Sequence, residues 1–390
     1  MRAEGARIGQ GRPALGALAL REGVEMTAVV AKATRLVEYI GNWSAGRGDS
    51  PEILEMLVTA RCNSRCIMCN VWRLPQKRRD LAGADLDLAT WCRVADEAAA
   101  LGTKTVTLSG GEPLLRDDVF ELIAHLKSLG LQVLVFTNGT VLRRPEKARA
   151  MVDVAPDLVM VSLDSTAPPF HDEVRGRAGA WEASTAGLRQ LAAEKRSRGV
   201  DLPKVGLFSL VSRRNIPEVF GLEQMAEEFG AESVVFNPLN NKVPGALDDY
   251  LLRPEDVPEA AAHGVSMGPA GEPDYYKRHL CFSPYHQMTV DPFGNVFPCC
   301  FASDFQNLSS DLDGSFWGDK DRFIVGNVAE SSLQDIWEGE RLTAFRRSLH
   351  RVPPYKMCGQ CGQAVHQPWS KLEPVFRVAA ALSGPATEVP

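Results

Sequence analysis

From Ile53 to Asn237 the chain alternates short apolar runs with amphipathic stretches, and this rhythm constrains its fold more than any other feature. The runs Ile53–Thr59, Thr105–Ser109, Gln132–Thr137, Leu158–Leu163, Lys204–Val211 and Ser233–Asn237 read as buried strands. The stretches near Leu88–Leu101, Asp117–Leu129, Pro145–Val154, Trp181–Arg198 and Ile216–Phe229 between them carry helical spacing. Strand–helix alternation predicts a parallel sheet built from right-handed crossovers. Six strands predict an α/β fold, an open partial (β/α)6 barrel, with its active site at the C-terminal strand ends.

The rhythm stops after Asn237. Pro238, Pro244, Pro254, Pro258, Pro269 and Pro273 punctuate what reads as a linker over residues 241–278. A smaller C-terminal α+β module is expected over residues 279–370, following a core over residues 51–240. Its clearest feature is a hairpin, Tyr285–Asp291 and Val296–Cys299, turning through Pro292, Phe293, Gly294 and Asn295. One helix is expected over Ser332–Leu349, and residues 371–390 read as a tail. Residues 1–50, rich in Gly, Ala and Arg, read as a partly flexible extension with one helix over Thr27–Tyr39.

The net charge of −6 argues against a nucleic-acid partner, and no apolar run approaches the ~20 residues of a membrane span. No secretory signal is evident, so a cytoplasmic location is expected. Nine cysteines are many for such a protein, and they are grouped. Cys62, Cys66 and Cys69 form one set; Cys281, Cys299, Cys300, Cys358 and Cys361 form another; Cys92 stands alone in an amphipathic helix and reads as packing. In a reducing compartment clustered cysteines read first as metal ligands. Gaps of three and two residues let one loop aim three thiolates at a point, and three ligands leave one coordination position open. A zinc loop that borrows a distant fourth ligand is the competing reading.

The loop Cys62-Asn-Ser-Arg-Cys66-Ile-Met-Cys69 follows the first strand, and Ser109-Gly110-Gly111-Glu112-Pro113 closes the second. In this order the two motifs resemble the radical S-adenosylmethionine (SAM) superfamily. The resemblance covers about Ile53 to Asn237 and implies a 4Fe–4S cluster on Cys62, Cys66 and Cys69 whose fourth iron chelates SAM. It further implies that reductive cleavage of SAM yields a 5′-deoxyadenosyl radical, which takes a hydrogen atom from the substrate. Paired Gly110 and Gly111 would let the backbone approach SAM, with Glu112 accepting from its ammonium and Pro113 completing the SAM-binding motif. Asn138 closes the third strand; Ser162 or Asp164, at the end of the fourth, resembles the ribose-contacting position. His171-Asp-Glu-Val-Arg175-Gly176 resembles a family stretch in which Arg175 would grip the SAM carboxylate, a surface ion pair being the alternative. Met68 stands where the family packs adenine, though it could equally fill core space.

The spacing Cys281-x12-Gly294-x4-Cys299 with Cys358-x2-Cys361 resembles the auxiliary-cluster modules called SPASM and twitch. Four thiolates imply one closed auxiliary 4Fe–4S cluster, with a four-cysteine zinc ribbon as the alternative. No cysteine follows Cys361, which departs from full SPASM and is closer to twitch.

Such a single auxiliary cluster resembles that of an aminocyclitol dehydrogenase. The expected function is therefore oxidation of an alcohol to a ketone in a small polar substrate such as a sugar, aminocyclitol or nucleoside, within specialised metabolism. An external one-electron reductant of flavodoxin or ferredoxin type is implied as partner. Three alternatives stand beside it: epimerisation at a sugar carbon with Cys300 as hydrogen donor, maturation of a ribosomal peptide, and decarboxylation of a sugar acid or nucleoside. From another class comes a non-catalytic iron–sulfur electron carrier, against which the intact Gly110–Pro113 strand end speaks.

Overall fold

The computed structural model describes residues 37–69, 71–73, 85–239, 249–253, 255–263, 281–300, 302–303 and 323–350. All six expected strands are present: β1 (Ile53–Leu57), β2 (Thr105–Ser109), β3 (Gln132–Thr137), β4 (Leu158–Ser162), β5 (Lys204–Val211) and β6 (Ser233–Pro238). They pair in parallel and in sequence order. The crossovers carry α1 (Leu88–Ala100), α2 (Val119–Ser128), α3 (Pro145–Val154), α4 (Pro168–Arg175), α5 (Ala180–Arg198), α6 (Ile216–Val219) and α7 (Leu222–Glu228). Local chemistry sets their ends. Asp87 caps α1 by accepting from the Thr90 N–H at 2.8 Å, Pro145 and Pro168 open α3 and α4, and Gly176 and Gly199 close α4 and α5 in the left-handed region.

One face of the sheet is closed and the other half open. Leu54 and Met56, Val106 and Leu108, Val133 and Val135, Val159 and Val161, and Val205 and Leu207 are buried in one apolar core with the helices. Each such side chain contributes about 1.5–3 kcal/mol by leaving water. Their neighbours Glu55, Thr107, Ser109, Leu134, Phe136, Ser162 and Phe208 are half-buried and line the other face. The strands are thus alternating rather than uniformly apolar in environment. The parallel sheet is wrapped on one side only, as a partial barrel requires.

The C-terminal module extends the same sheet. β7 (Gln287–Val290) pairs with β1 in parallel, β8 (Asn295–Phe297) returns antiparallel, and β9 (Gly326–Asn327) pairs with β8. The order is β6-β5-β4-β3-β2-β1-β7-β8-β9. The expected hairpin forms, with Gly294 at φ +87° and Asp291 Oδ1 accepting from the N–H groups of Phe293 and Asn295, both at 2.9 Å.

Two helical expectations need correction, and one helix was not foreseen. Ser332–Leu349 is two helices, α9 (Leu333–Glu338) and α10 (Glu340–Ser348), because Gly339 is extended. Ile216–Phe229 is likewise split into α6 and α7 around Phe220–Gly221. The stretch holding His171 and Arg175 is helix α4. In the extension, residues 37–44 are helical, past the expected end at Tyr39, and the earlier part lies outside the described residues. Most of the expected linker, which includes α8 (Val257–Ala262), lies outside them too, as do residues 351–390. No helix among the described residues is long and apolar enough to cross a membrane.

Candidate active site at the cysteine loop

The chain leaves β1, passes the C-terminal end of β2 before Cys62, and meets that of β3 through Asn63 and Ser64, between Cys62 and Cys66. Two backbone clamps hold this loop. On one side, Gly111 N–H donates to Thr59 O and Glu112 N–H to Arg61 O, both at 2.8 Å. On the other, Arg65 N–H and Ile67 N–H donate to the carbonyls of Arg175 and Val174 at the end of α4, both at 2.9 Å. The glycines flanking the loop are explained by this closeness. A Cβ on Gly111 would stand 2.2 Å from Arg61 O, one on Gly110 2.7 Å from Thr59 O, and one on Gly176 2.2 Å from Arg65 O. The pair Gly110–Gly111 therefore admits the cysteine loop's own backbone, a use the sequence reading had given to a ligand.

Cys66 is buried, while Cys62 and Cys69 are half-buried. Burial pushes the Cys62 thiol up to about 12 and raises that of Cys66, opposed there by the nearby Arg175 guanidinium. Thiolates at these positions therefore call for a compensating positive centre, which iron supplies. Met68 is half-buried beside Cys69.

Glu112 is fully buried, and its carboxylate is already engaged. It accepts from Thr137 Oγ1 at 2.6 Å, Asn138 N–H at 2.7 Å and Leu114 N–H at 3.1 Å, tying the end of β2 to that of β3. Burial raises its pKa to about 6 against these hydrogen bonds. Pro113 is buried in the short turn that follows. Asn138 in turn donates from Nδ2 to Asn63 Oδ1 at 2.7 Å, inside the cysteine loop, and accepts from Thr140 N–H and Oγ1.

Asp164 and Arg175 meet each other. The guanidinium forks the carboxylate, Nε to Oδ2 at 2.7 Å and Nη2 to Oδ1 at 3.0 Å, while Leu210 N–H donates to Oδ1 at 3.0 Å. Asp164 is wholly buried and Arg175 nearly so, and the guanidinium's Nη1 stands 4.0 Å from Cys66 Sγ. Asp164 thus faces protein rather than an open ribose site, and Arg175 reaches the loop with a carboxylate already in its fork. His171 completes the group: its Nδ1 accepts from Asp164 N–H at 3.1 Å, and burial lowers its pKa to about 4, keeping it neutral. Ser162 remains half-buried at the end of β4.

Sequence reading missed Asn63, Thr137 and Arg177. Arg177 Nη1 donates to Asn63 O at 3.1 Å and pins the loop from outside. Only the Arg175-Gly-Arg177 spacing hinted at it.

In the C-terminal module, Cys281 and Cys299 pack against one aromatic cluster of Trp43, Phe282, Tyr285, Phe297, Phe323 and Phe345. Cys300 is half-buried in the turn after Cys299. Cys358 and Cys361 lie outside the described residues.

The partial barrel's first strand thus feeds a clamped loop that carries three thiols at the C-terminal ends of the strands. Comparison with known proteins gives the class. Residues 56–203 match the radical SAM superfamily, and residues 281–362 match the SPASM iron–sulfur cluster-binding domain. The chain is 30% identical over 335 residues to the PqqA peptide cyclase of Ruegeria pomeroyi, covering 80% of this chain and 82% of that one. It is 32% identical over 347 residues to the AdoMet-dependent heme synthase of Methanosarcina barkeri, covering 80% and 88%. Among solved structures, Streptococcus suis SuiB bound to S-adenosylmethionine superposes with a TM-score of 0.60 at 13% identity, over 86% of this chain and 77% of that one. The chain belongs to the radical SAM superfamily and carries a C-terminal SPASM domain. Its cofactors are accordingly SAM, the SAM-binding 4Fe–4S cluster and an auxiliary cluster.

These relatives overturn the expected alcohol dehydrogenase acting on a small sugar-like substrate. The curated relatives are repeatedly peptide cyclases, so the small-molecule substrate is withdrawn. The maturation alternative fits better.

Proposed function

We propose that this enzyme closes a ring in a ribosomally made peptide by radical chemistry. The observation that carries the reading is the likeness to PqqA peptide cyclases, at 30% identity across about four-fifths of both chains. Cys62, Cys66 and Cys69 hold the SAM-binding cluster; Cys281, Cys299, Cys358 and Cys361 hold the auxiliary one. When bound, the first cluster supplies one-electron cleavage of the SAM sulfonium, which generates a carbon radical able to take a hydrogen atom.

The chain's own residues hold and shape this site. Gly110 and Gly111, Asn138 and Ser162 stand at the strand ends beside the cysteine loop that carries Met68, where SAM would bind, and the two glycines also admit that loop's backbone. Glu112, Asp164 and Arg175 act one step back: Glu112 fixes the ends of β2 and β3, and the Asp164–Arg175 pair places a cation beside Cys66. Such a fixed positive charge favours the thiolate form of the ligand.

Joining two peptide side chains removes two hydrogens. One would leave as a hydrogen atom, giving 5′-deoxyadenosine; the other would leave as a proton and an electron, for which an auxiliary cluster held by Cys281, Cys299, Cys358 and Cys361 would be the acceptor. A flavodoxin- or ferredoxin-type reductant supplies the electron that starts the cycle.

The test is incubation of the iron-reconstituted protein with SAM, a reductant and the precursor peptide encoded beside its gene. The expected products are 5′-deoxyadenosine and a peptide lighter by two hydrogens, both absent with Cys66→Ala. A second reading, side-chain chemistry on a tetrapyrrole, is favoured by the 32% identity to the heme synthase. Conversion of a heme precursor, followed by absorbance, with no change in any peptide would select it instead.

A further inference from the structure

Arg175 meets the cysteine loop twice. Its backbone carbonyl accepts from Arg65 N–H at 2.9 Å, and its guanidinium Nη1 stands 4.0 Å from Cys66 Sγ. The other two guanidinium nitrogens go to Asp164, Nε to Oδ2 at 2.7 Å and Nη2 to Oδ1 at 3.0 Å. Because the fork uses the edge between Nε and Nη2, the carboxylate lies across the planar group from Nη1, and the pair turns its positive end to the sulfur. Asp164 is itself fixed. Leu210 N–H donates to its Oδ1 at 3.0 Å, Asn215 Nδ2 donates to its backbone carbonyl at 2.8 Å, and its side chain is wholly buried. His171, 3.6 Å from the same carboxylate, is neutral and adds no charge.

A buried, oriented ion pair thus stands beside one of the three thiols. The residues present fit an iron–sulfur cluster: three thiols share one clamped loop, and two of the sulfurs already face a donor. Cys62 Sγ accepts from Ser64 N–H at 3.4 Å, and Cys66 Sγ faces Arg175. Hydrogen bonds to ligand sulfurs and nearby charge tune the potential of such a cluster. One-electron reduction adds a negative charge, which a cation in a low-dielectric surround favours and a carboxylate opposes. Cys66 is the buried one of the three, where solvent and salt screen the pair least.

We propose that Arg175 raises the reduction potential of the SAM-binding cluster through Cys66, and that Asp164 limits the rise by neutralising part of its charge. This role goes beyond holding the loop, and it rests on the assignment of that cluster to Cys62, Cys66 and Cys69. A higher potential eases the one-electron reduction that a flavodoxin- or ferredoxin-type donor must perform. Arg175 and Asp164 are positioning residues here, acting on the iron through the Cys66 sulfur. Their opposite charges give opposite signs: losing the cation lowers the potential, and losing the carboxylate raises it.

The experiment is an EPR-monitored potentiometric titration without SAM, in the Cys281→Ala background that removes the auxiliary signal. Arg175→Gln is expected to shift the reduction equilibrium at least about tenfold towards the oxidised form, ~59 mV for one electron. Asp164→Asn, which leaves the guanidinium without its counter-charge, should move it the opposite way. Arg175→Lys should stay near the parent potential even though it loses the fork. If neither single neutral variant holds iron, the double variant Asp164→Asn/Arg175→Gln, which removes both charges and keeps polar partners in place, should still lower the potential. Unchanged potentials in iron-loaded variants, or shifts of the same sign in Arg175→Gln and Asp164→Asn, overturn the proposal in favour of a purely structural pair. A parent protein whose cluster signal does not change when SAM is added refutes the assignment of that cluster to the first loop, an outcome distinct from an unshifted potential.

Discussion

At the scale of single residues, space and charge around the cysteine loop decide more than any one ligand. Gly176 and Gly179 both have positive φ, yet they differ in surroundings. A Cβ on Gly179 meets nothing within 4 Å, whereas one on Gly176 runs into the backbone of Arg65. Gly179→Ala should therefore cost only left-handed strain, about 1–2 kcal/mol. Gly176→Ala should also displace the loop and lose iron from the first cluster while the barrel stays folded. Iron content and melting temperature, measured side by side, separate the two.

His171 makes a second prediction at this scale. Its folded pKa, near 4, lies below its ordinary 6.5. The unfolded chain therefore binds the proton more readily, and stability is fully present above pH 6.5 and lost as pH falls towards 4. The loss reaches on the order of 3 kcal/mol. Urea unfolding of the wild-type protein should weaken between pH 7 and pH 5, and His171→Gln should flatten that slope.

At the scale of elements, α4 joins the two halves of the site. It buries Phe170, His171 and Val174, while its last carbonyls hold the cysteine loop and its last side chain, Arg175, forks Asp164 after β4. Arg175→Met would leave Asp164 buried and unpaired, a loss of about 3–5 kcal/mol. Arg175→Lys should recover little, because an ammonium cannot reproduce the fork. Chemical denaturation of the two variants measures this.

The strands around this helix were legible in the sequence because apolar runs of five to eight residues leave little alternative. The cysteine loop was legible because its spacing is chemically narrow. The Asp164–Arg175 pair was not, since both residues carry motif-like positions that pointed to a ligand, and only the turn of α4 brings them together. Nor was the break at Gly339, where a helical pattern continues in the sequence while the backbone extends to let α10 fold back.

At the scale of the whole molecule, the auxiliary module is not hung on a tether. β7 continues the barrel's sheet beside β1, Thr289 Oγ1 donates to Glu55 Oε2 at 3.1 Å, and Trp43 from the extension packs on the same aromatic wall as Cys281. Two clusters built on one sheet should respond to each other's loss through stability as well as through electrons. The reconstituted protein should hold about eight iron and eight sulfide, falling to about four of each in Cys66→Ala and in Cys281→Ala. The sheet adds a sharper expectation. Because Met56 and Val290 stand opposite each other in the β1–β7 register, loosening the auxiliary module in Cys281→Ala should withdraw support from the strand that launches the cysteine loop. Calorimetry should then show a single transition moved to lower temperature. A separate low-temperature step, leaving the barrel's transition in place, would mean that the shared strand pairing does not couple the two modules.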